Sequence, residues 1–323
     1  MMPTSRRDFA KLSLAALTGS ALSPLVGQLR AADGGKVNSK FNGVQIGLNV
    51  PYSFGNGAMT GDEILKNCVQ LGVSGLELRT QPVEAFLGAP VKAPAPKITS
   101  ADVPTEVPAE KPGETPKNIS EWRKTAPIEK AAEFRKKYED AGVLIEIVKV
   151  DGLFKMSDGE LDYAFKLAKL LGARCISTEI THNENDLKRV GSFGEKHQLM
   201  LGYHGHQDTK PEHWEKAFEL SKANGANVDL GHFVAGNNTS PVPFITKYHD
   251  RIAHVHVKDR KFNKGPNTPF GQGDTPIAEV LKLIRDNKWN IQGTIEFEYK
   301  VPAGSTRMAE IARAIQFCKD ALA

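Results

Sequence analysis

The stretch that decides the fold is I-A-H-V-H-V-K-D-R, residues 252–260. Apolar residues surround two histidines here, and neither glycine nor proline interrupts the run. This pattern is typical of a buried parallel strand whose carboxyl end carries ligand residues. By itself it fits equally well a core strand with two hydrogen-bonded histidines. The neighbouring segments favour the first interpretation.

Three other apolar segments also end in residue types that commonly serve as metal ligands. The motifs Y-H-G-H at 203–206 and D-L-G-H at 229–232 lie before the central stretch, and I-E-F-E at 295–298 lies after it. In chain order, the four segments end in His, Asp, His and Glu. Imidazoles and carboxylates at successive strand ends predict a divalent-metal site, with Mn²⁺, Co²⁺, Zn²⁺ and Fe²⁺ as the candidate ions.

A unit of helix, glycine and strand recurs along the chain, for example at A-G-V 141–143, L-G-A 171–173 and N-G-A 224–226. Helix starts are predicted at Thr60, Ser157, Thr209 and Thr275. Strands are predicted at 44–48, 75–79, 143–148, 175–179, 199–204, 227–229, 252–257 and 294–298. Eight strands alternating with helices predict a (β/α)8 TIM barrel. An open doubly wound sheet is the weaker alternative, because no glycine-rich phosphate loop opens the first helix.

The chain of 323 residues is long enough for one such barrel, predicted to span residues 34–323 after a leader of 33 residues. Residues 81–120 contain eight prolines, which argue against regular helix or interior strand. They are predicted to form an extended surface insertion on the face where barrel active sites lie. A lid or an oligomer contact is the alternative, so a homo-oligomer stays open.

Composition excludes several partner classes. The net charge is +4, of which residues 1–33 contribute two, and no basic stripe predicts binding to nucleic acid. Three scattered cysteines form no disulfide framework. We expect a small-molecule sugar or ketoglycoside as substrate and no stable membrane insertion of residues 34–323.

Strand alternation selects the candidate site residues. The predicted metal ligands are His204, Asp229, His256 and Glu296. The predicted catalytic residues are Glu179, Glu296, Lys258 and Lys149. The predicted substrate-binding residues are His206, Glu298, Arg260 and Glu77, to which the resemblance described in the next paragraph adds His232. The alternative is structural: each histidine would be a satisfied core residue, and Asp229 would cap a helix.

The motifs at 229–232, 254–259, 270–274 and 295–298 resemble those of the sugar phosphate isomerase/epimerase superfamily, the xylose isomerase-like barrels. The resemblance covers most of residues 44–320 outside the proline-rich insertion. It implies that Asp229, His256 and Glu296 bind metal and that His232 contacts substrate oxygens.

Two features depart from the ketose 3-epimerases of this group. His204 stands at their glutamate position on the fifth strand, and Arg260 lies closer to His256 than their substrate-binding arginine does to its histidine. The resemblance therefore implies a metal barrel more firmly than it implies 3-epimerisation.

The expected chemistry is sugar isomerisation or epimerisation, in which a proton next to a carbonyl is removed to give a metal-stabilised enediolate. Glu296 or Glu179 would be the base, and Lys258 or Lys149 would stabilise charge. A 3-ketoglycoside lyase, hydrolase or dehydratase shares this first step and remains an alternative. A catalytically inactive exported carbohydrate-binding protein is another. A nuclease is disfavoured by the near-neutral charge.

The amino terminus resembles an export signal. The motif S-R-R-D-F-A-K at 5–11 precedes an apolar run at 12–29, as in twin-arginine signals. Gly19, Pro24 and Gly27 interrupt the run, which is therefore not predicted to span a membrane. We expect cleavage near residues 31–33 and a periplasmic or otherwise exported protein. An uncleaved membrane anchor is the alternative.

Replacing both arginines, Arg6→Lys with Arg7→Lys, should retain the protein in the cytoplasm, because the pathway reads the paired arginines. Cell fractionation and immunoblotting would measure this, with the wild-type chain as the control. Unchanged export of the double variant would contradict the assignment.

Overall fold

The computed structural model describes residues 36–90 and 117–323. The predicted export signal and the centre of the proline-rich insertion lie outside the described residues. Eight parallel strands each pair with their neighbours in the chain, and the last also pairs with the first, so the sheet closes. The predicted TIM barrel is therefore confirmed. Its strands are β1 Val44–Val50, β2 Gly75–Arg79, β3 Leu144–Lys149, β4 Cys175–Glu179, β5 Met200–His204, β6 Asn224–Asp229, β7 Ile252–Val257 and β8 Gln292–Ile295.

Helices connect the strands and cover the barrel. They are α1 Gly61–Leu71, α2 Thr80–Phe86, α3 Lys117–Arg123, α4 Ala131–Asp140, α5 Asp158–Leu170, α6 Glu184–His197, α7 Pro211–Leu220, α8 Leu230–Asn237, α9 Val242–Tyr248, α10 Ile277–Asp286 and α11 Arg307–Ala321. The capping boxes predicted at Thr60 and Ser157 are confirmed, since both side chains accept a hydrogen bond from the third residue of the helix. Within the two described ranges, each helix is too short or too polar to cross a bilayer.

Several predicted boundaries are wrong, among them the helix start at Thr209, since that helix begins at Pro211 with Lys210 as its N-cap. Gly225 lies inside β6 and does not end a helix. Strand packing needs a glycine there, because a Cβ would lie 2.7 Å from the Arg251 carbonyl oxygen. Strand β8 ends at Ile295, so the two glutamates that follow lie in the loop beyond it. Helix α10 begins after Pro276, since the Thr275 hydroxyl accepts a hydrogen bond from the Arg260 amide instead of capping the helix.

The proline-rich insertion was also predicted too broadly. Helix α2 covers its beginning and α3 covers its end. Pro82 is tolerated because it lies in the first turn of α2, where amides have no partner within the helix. Arg123 of α3 binds Glu84 at 2.8 Å and Glu160 at 3.2 Å, with its side chain only 7% exposed. This buried ion-pair network anchors α3 to the helices around the barrel. The lid and oligomer hypotheses concern residues outside the described ranges and stay predictions.

Two cores hold the fold together. A large apolar layer fills the space between the sheet and the helices, built from residues such as Ile46, Leu48, Leu281 and Ile315. A small separate cluster of Ile147, Cys175 and Ala253 is packed with Met200. Besides these, the sheet buries polar side chains that include Glu77, Asn227, His254 and Thr294. Because buried polar groups are costly unless they have partners, this polar set indicates a functional site.

A methyl group at Gly47 should destabilise the fold, because its Cβ would collide with the Gln292 side-chain amide and lie 2.9 Å from the Gly75 carbonyl oxygen. Gly47→Ala should cost about 1–3 kcal/mol of unfolding free energy, the usual penalty for overpacking. Gly57→Ala is the matched control, since nothing lies within 4 Å of its added Cβ. Chemical denaturation would measure both, and equal midpoints would refute the expected collision.

Candidate metal centre

The structure brings the four predicted metal ligands together. His204 and Asp229 end strands β5 and β6, His256 lies one residue before the end of β7, and Glu296 follows β8 directly. One ligand atom from each residue lies within 4.8 Å of those from the other three, and all four residues are buried. Register across the closed barrel thus places four residues, spread over 93 positions of sequence, at one point.

Two buried atoms of this group have no hydrogen-bond partner: Asp229 Oδ2 and His256 Nδ1. They lie 3.6 Å apart, and His256 Nδ1 lies 3.3 Å from Glu296 Oε2. Buried polar atoms normally have hydrogen-bond partners, so two facing ligand atoms that lack one are candidates to bind a shared cation, although Lys258 Nζ also lies 3.1 Å from Asp229 Oδ2. Two imidazoles and two carboxylates form a donor set that suits a divalent transition metal. The residues therefore fit the metal that the sequence predicts.

The orientation of His256 is set by a buried carboxylate. Its Nε2 lies 2.5 Å from Glu77 Oε2, and the Glu77 side chain is 0% exposed. Nε2 therefore carries a proton, and Nδ1 is the ring nitrogen that faces Asp229 and Glu296. Burial by itself would lower the pKa of His256, but Glu77 and Glu296 outweigh it and raise the pKa well above its ordinary value. The carboxylates thus favour positive charge at this ring, which either a proton on Nδ1 or a cation bound in its place would supply.

Glu77 was predicted to bind substrate, and its position corrects that assignment. A fully buried carboxylate bonded to His256 has no surface left for a substrate. Its burial follows from its place in the middle of β2, two residues before the strand ends.

Lys258 lies beside the predicted ligands. Its Nζ is 2.6 Å from Glu296 Oε2 and 2.5 Å from Glu298 Oε2. Asp229 Oδ2 is 3.1 Å away, although that contact lacks hydrogen-bond geometry. Desolvation would lower the pKa of Lys258, but Asp229, Glu296 and Glu298 raise it well above its ordinary value. Lys258 is therefore an ammonium ion held among three carboxylates.

A second group lies at the rim of the centre. Glu179 Oε1 accepts from Lys149 Nζ at 2.5 Å, and Glu179 Oε2 lies 2.7 Å from His206 Nε2. The side chains of Glu179 and His206 are 39% and 48% exposed, whereas Lys149 is buried. The His206 ring centroid is 4.8 Å from that of His204, which links the two groups.

This pairing weakens Glu179 as a base. Desolvation raises its pKa, but Lys149, His204 and His206 together hold it well below its ordinary value. Because a general base works best with a pKa near the ambient pH, Glu179 alone is a poorer base than the sequence suggests.

Arg260 supports His232 and is not open to substrate. Its Nη1 donates to His232 Nδ1 at 2.7 Å, while Nε and Nη2 donate to the Gly265 carbonyl oxygen. The predicted substrate-binding role of Arg260 is corrected to an orienting one. His232, which lies near Lys258, is kept neutral, because burial and that ammonium lower its pKa to about 3.

The alternative role predicted for Asp229, a helix cap, is also confirmed. Its Oδ1 accepts from the His232 amide at 2.7 Å and caps α8. Its Oδ2 accepts no hydrogen bond and faces the centre. One carboxylate can thus cap the helix and remain a candidate ligand.

Several supporting residues were missed by sequence reasoning. Asn49 donates to Glu296 Oε1 at 2.9 Å, and Tyr52 donates to Glu298 Oε1 at 2.7 Å. Asn227 Nδ2 lies 3.3 Å from His204 Nδ1, where it is placed to donate to that ring. Asn49 and Tyr52 follow the first apolar run, so the strand-end rule applied to β1 would have found them. Asn227 lies within a short predicted strand and carried no such signal.

Replacing Glu77 should weaken metal binding without unfolding the protein. Glu77→Gln keeps the shape but removes the charge that fixes the His256 tautomer, and loss of such a partner typically costs about 10–100-fold in metal affinity. Titration with Mn²⁺ followed by calorimetry would measure the dissociation constant. Glu84→Gln, another buried glutamate that pairs with Arg123 away from the centre, is the control. Equal affinity in the Glu77 variant and the wild type would contradict the assignment.

Comparison with known proteins identifies the family of this barrel. Residues 112–321 match the family described as "Xylose isomerase-like TIM barrel". The inosose dehydratase of Clostridium perfringens is 25% identical over 156 residues, which cover 42% of this chain and 52% of that protein. The chain therefore spans about half the length of the curated relatives it matches.

Solved structures share the fold. A xylose isomerase domain protein from Planctomyces limnophilus superposes with a TM-score of 0.58 at 14% identity, covering 87% of this chain and 97% of that one. A D-tagatose 3-epimerase-like protein superposes with a TM-score of 0.52 at 16% identity, covering 85% of this chain and 96% of that one. With the family match spanning about two thirds of its length, this chain belongs to the xylose isomerase-like TIM barrel family.

Proposed function

We propose that this protein is a divalent-metal-dependent sugar isomerase or epimerase that removes a proton next to the carbonyl of its substrate. The main support for the proposal is that two buried ligand atoms, Asp229 Oδ2 and His256 Nδ1, face each other without a hydrogen-bond partner. Membership in a barrel family that includes xylose isomerase-like proteins supports a sugar-like substrate.

His204, Asp229, His256 and Glu296 would hold the ion. When bound, a divalent ion of the Mn²⁺, Co²⁺, Zn²⁺ or Fe²⁺ class supplies Lewis-acid polarisation of a substrate carbonyl and stabilises negative charge on its oxygen. Asn49 would help to hold the ion, because its hydrogen bond to Glu296 Oε1 leaves Glu296 Oε2 directed at the centre.

Proton transfer is assigned to the pair of Glu179 and His206. Both are partly exposed beside the buried centre, and a hydrogen bond of 2.7 Å joins them. Lys149 fixes the carboxylate by binding its other oxygen. On the opposite side, the ammonium of Lys258 lies where it would stabilise charge that develops on a substrate oxygen. His232, oriented by Arg260, and Glu298, oriented by Tyr52, would contact substrate hydroxyl groups.

Elimination is the second candidate, either as a dehydratase or as a 3-ketoglycoside lyase or hydrolase. It begins with the same proton removal but needs only one base. His204 stands where the ketose 3-epimerases carry a glutamate, and both oxygens of Glu298 are already bound by Tyr52 and Lys258. The curated relatives named inosose dehydratase are consistent with this candidate without favouring it over isomerisation.

Solvent deuterium exchange tests the step that both candidates share. With metal, the protein should incorporate deuterium from D₂O next to the carbonyl of a ketose or a 3-ketoglycoside, and a chelator should stop the exchange. Glu179→Gln should slow exchange by about 10²-fold or more, the usual contribution of a general acid–base group, while keeping its metal. NMR would follow the label and identify the product as an isomer or a dehydrated sugar.

Two control variants sharpen the result. Glu146→Gln removes another ion-paired carboxylate, bound to Arg174, and should leave exchange unchanged. His256→Ala should remove both metal and exchange. Full exchange by metal-free protein would refute the proposed function. Full exchange by the Glu179 variant would refute only the assignment of the base.

Export through the twin-arginine pathway is part of the proposal. It is supported by the sequence of residues 5–29 and would bring the enzyme into contact with unphosphorylated sugars and glycosides outside the cytoplasm.

A further inference from the structure

Lys258 occupies a position that otherwise has the features of a second cation site. Its Nζ lies 2.5 Å from Glu298 Oε2 and 2.6 Å from Glu296 Oε2. Asp229 Oδ2 and His232 Nε2 each lie 3.1 Å away. Three carboxylate oxygens therefore surround the ammonium nitrogen at short distance, with His232 Nε2 beside them, and the Lys258 side chain is only 2% exposed.

We propose that the Lys258 ammonium takes the place of a second metal ion, so that the protein binds one divalent ion and gains a second divalent site when this ammonium is removed. The inference rests on the proposed metal centre and adds to it a stoichiometry and a reason for that stoichiometry.

Shared ligands connect the two positions. Asp229 Oδ2 and Glu296 Oε2 face His256 Nδ1 on one side and Lys258 Nζ on the other. Carboxylates that bridge two cations are typical of two-metal sites, whose ions lie about 3.5–4 Å apart. The arrangement therefore resembles a two-metal centre in which one cation is a side chain.

Charge explains why the second position must stay cationic. Asp229, Glu296 and Glu298 surround one ammonium, and Asp229 and Glu296 are buried. Removing one partner of a buried ion pair leaves uncompensated charge at high cost. Without Lys258, a divalent ion is the simplest replacement for the lost positive charge.

The ligands also define which ion the new site would take. Arg260 donates to His232 Nδ1, so a neutral His232 carries its proton on Nε2 and offers no lone pair there. The second site would then consist of carboxylate oxygens from Asp229, Glu296 and Glu298. Oxygen ligands suit Mg²⁺ and Mn²⁺, and Mn²⁺ also suits the mixed site at His204 and His256.

The test is the Mn²⁺ stoichiometry of Lys258→Met in the full-length protein, measured by equilibrium dialysis and elemental analysis. The wild type should bind one Mn²⁺ per chain, and the variant should bind two. Lys149→Met is the matched control, since Lys149 is an equally buried lysine that pairs with Glu179 alone. It should keep one ion, as should Lys258→Arg, which retains the charge.

Adding Glu298→Gln to Lys258→Met should return the count to one, because the second site loses a charged ligand. Two ions in the wild type, or one in Lys258→Met, would overturn the inference while leaving the proposed metal centre intact. No bound ion in the wild type would overturn both. If Lys258→Met is unstable without metal, a rise in its melting temperature with Mn²⁺ that exceeds the rise in the wild type supports the inference. An equal rise contradicts it.

Discussion

Buried carboxylates at the carboxyl end of the barrel are the constraint on which the rest of the site depends. Glu77, Asp229 and Glu296 lie out of contact with water or nearly so, and each must have positive charge or hydrogen-bond donors nearby. Lys258 and His256 provide part of the compensation, yet Asp229 Oδ2 accepts no hydrogen bond. A cation shared by the four candidate ligands would complete the compensation.

Closure of the barrel makes this arrangement rigid. Pairing of β8 with β1 brings Asn49 to Glu296, and β2 lies where Glu77 can reach across the barrel to His256. Glu296 and His256 are therefore each held by a second side chain from a different strand. Such support orients ligands before an ion binds and reduces the freedom lost on binding. The barrel core below supplies the packing that keeps these strands in register.

The rim of the site differs from its floor in exposure and in charge. On the floor, the charged side chains are buried and lie within ion-pair distance of one another, which suits binding and polarising a substrate oxygen. At the rim, Glu179 and His206 are partly open to solvent, which suits exchange of protons. The ion pair with Lys149 spans the two levels. This division between a charged floor and a partly exposed rim is consistent with the proposed chemistry next to a carbonyl.

The positions of strands and helices could be predicted from the sequence, because alternating apolar runs, capping residues and helix-ending glycines act over a few residues. The candidate ligands were found for a related reason: parallel strands place their carboxyl ends on one face, so polar residues at strand ends in the sequence become neighbours.

The local sequence pattern did not contain the partner of each side chain. Whether Glu77 meets substrate or His256, whether Arg260 is open or bound to His232, and whether Lys258 lies among carboxylates depend on barrel register and on side-chain direction across strands far apart in the chain. The sequence by itself therefore determined the barrel and the composition of its site, whereas only the tertiary structure decided which charges are paired, since pairing depends on distances that folding creates.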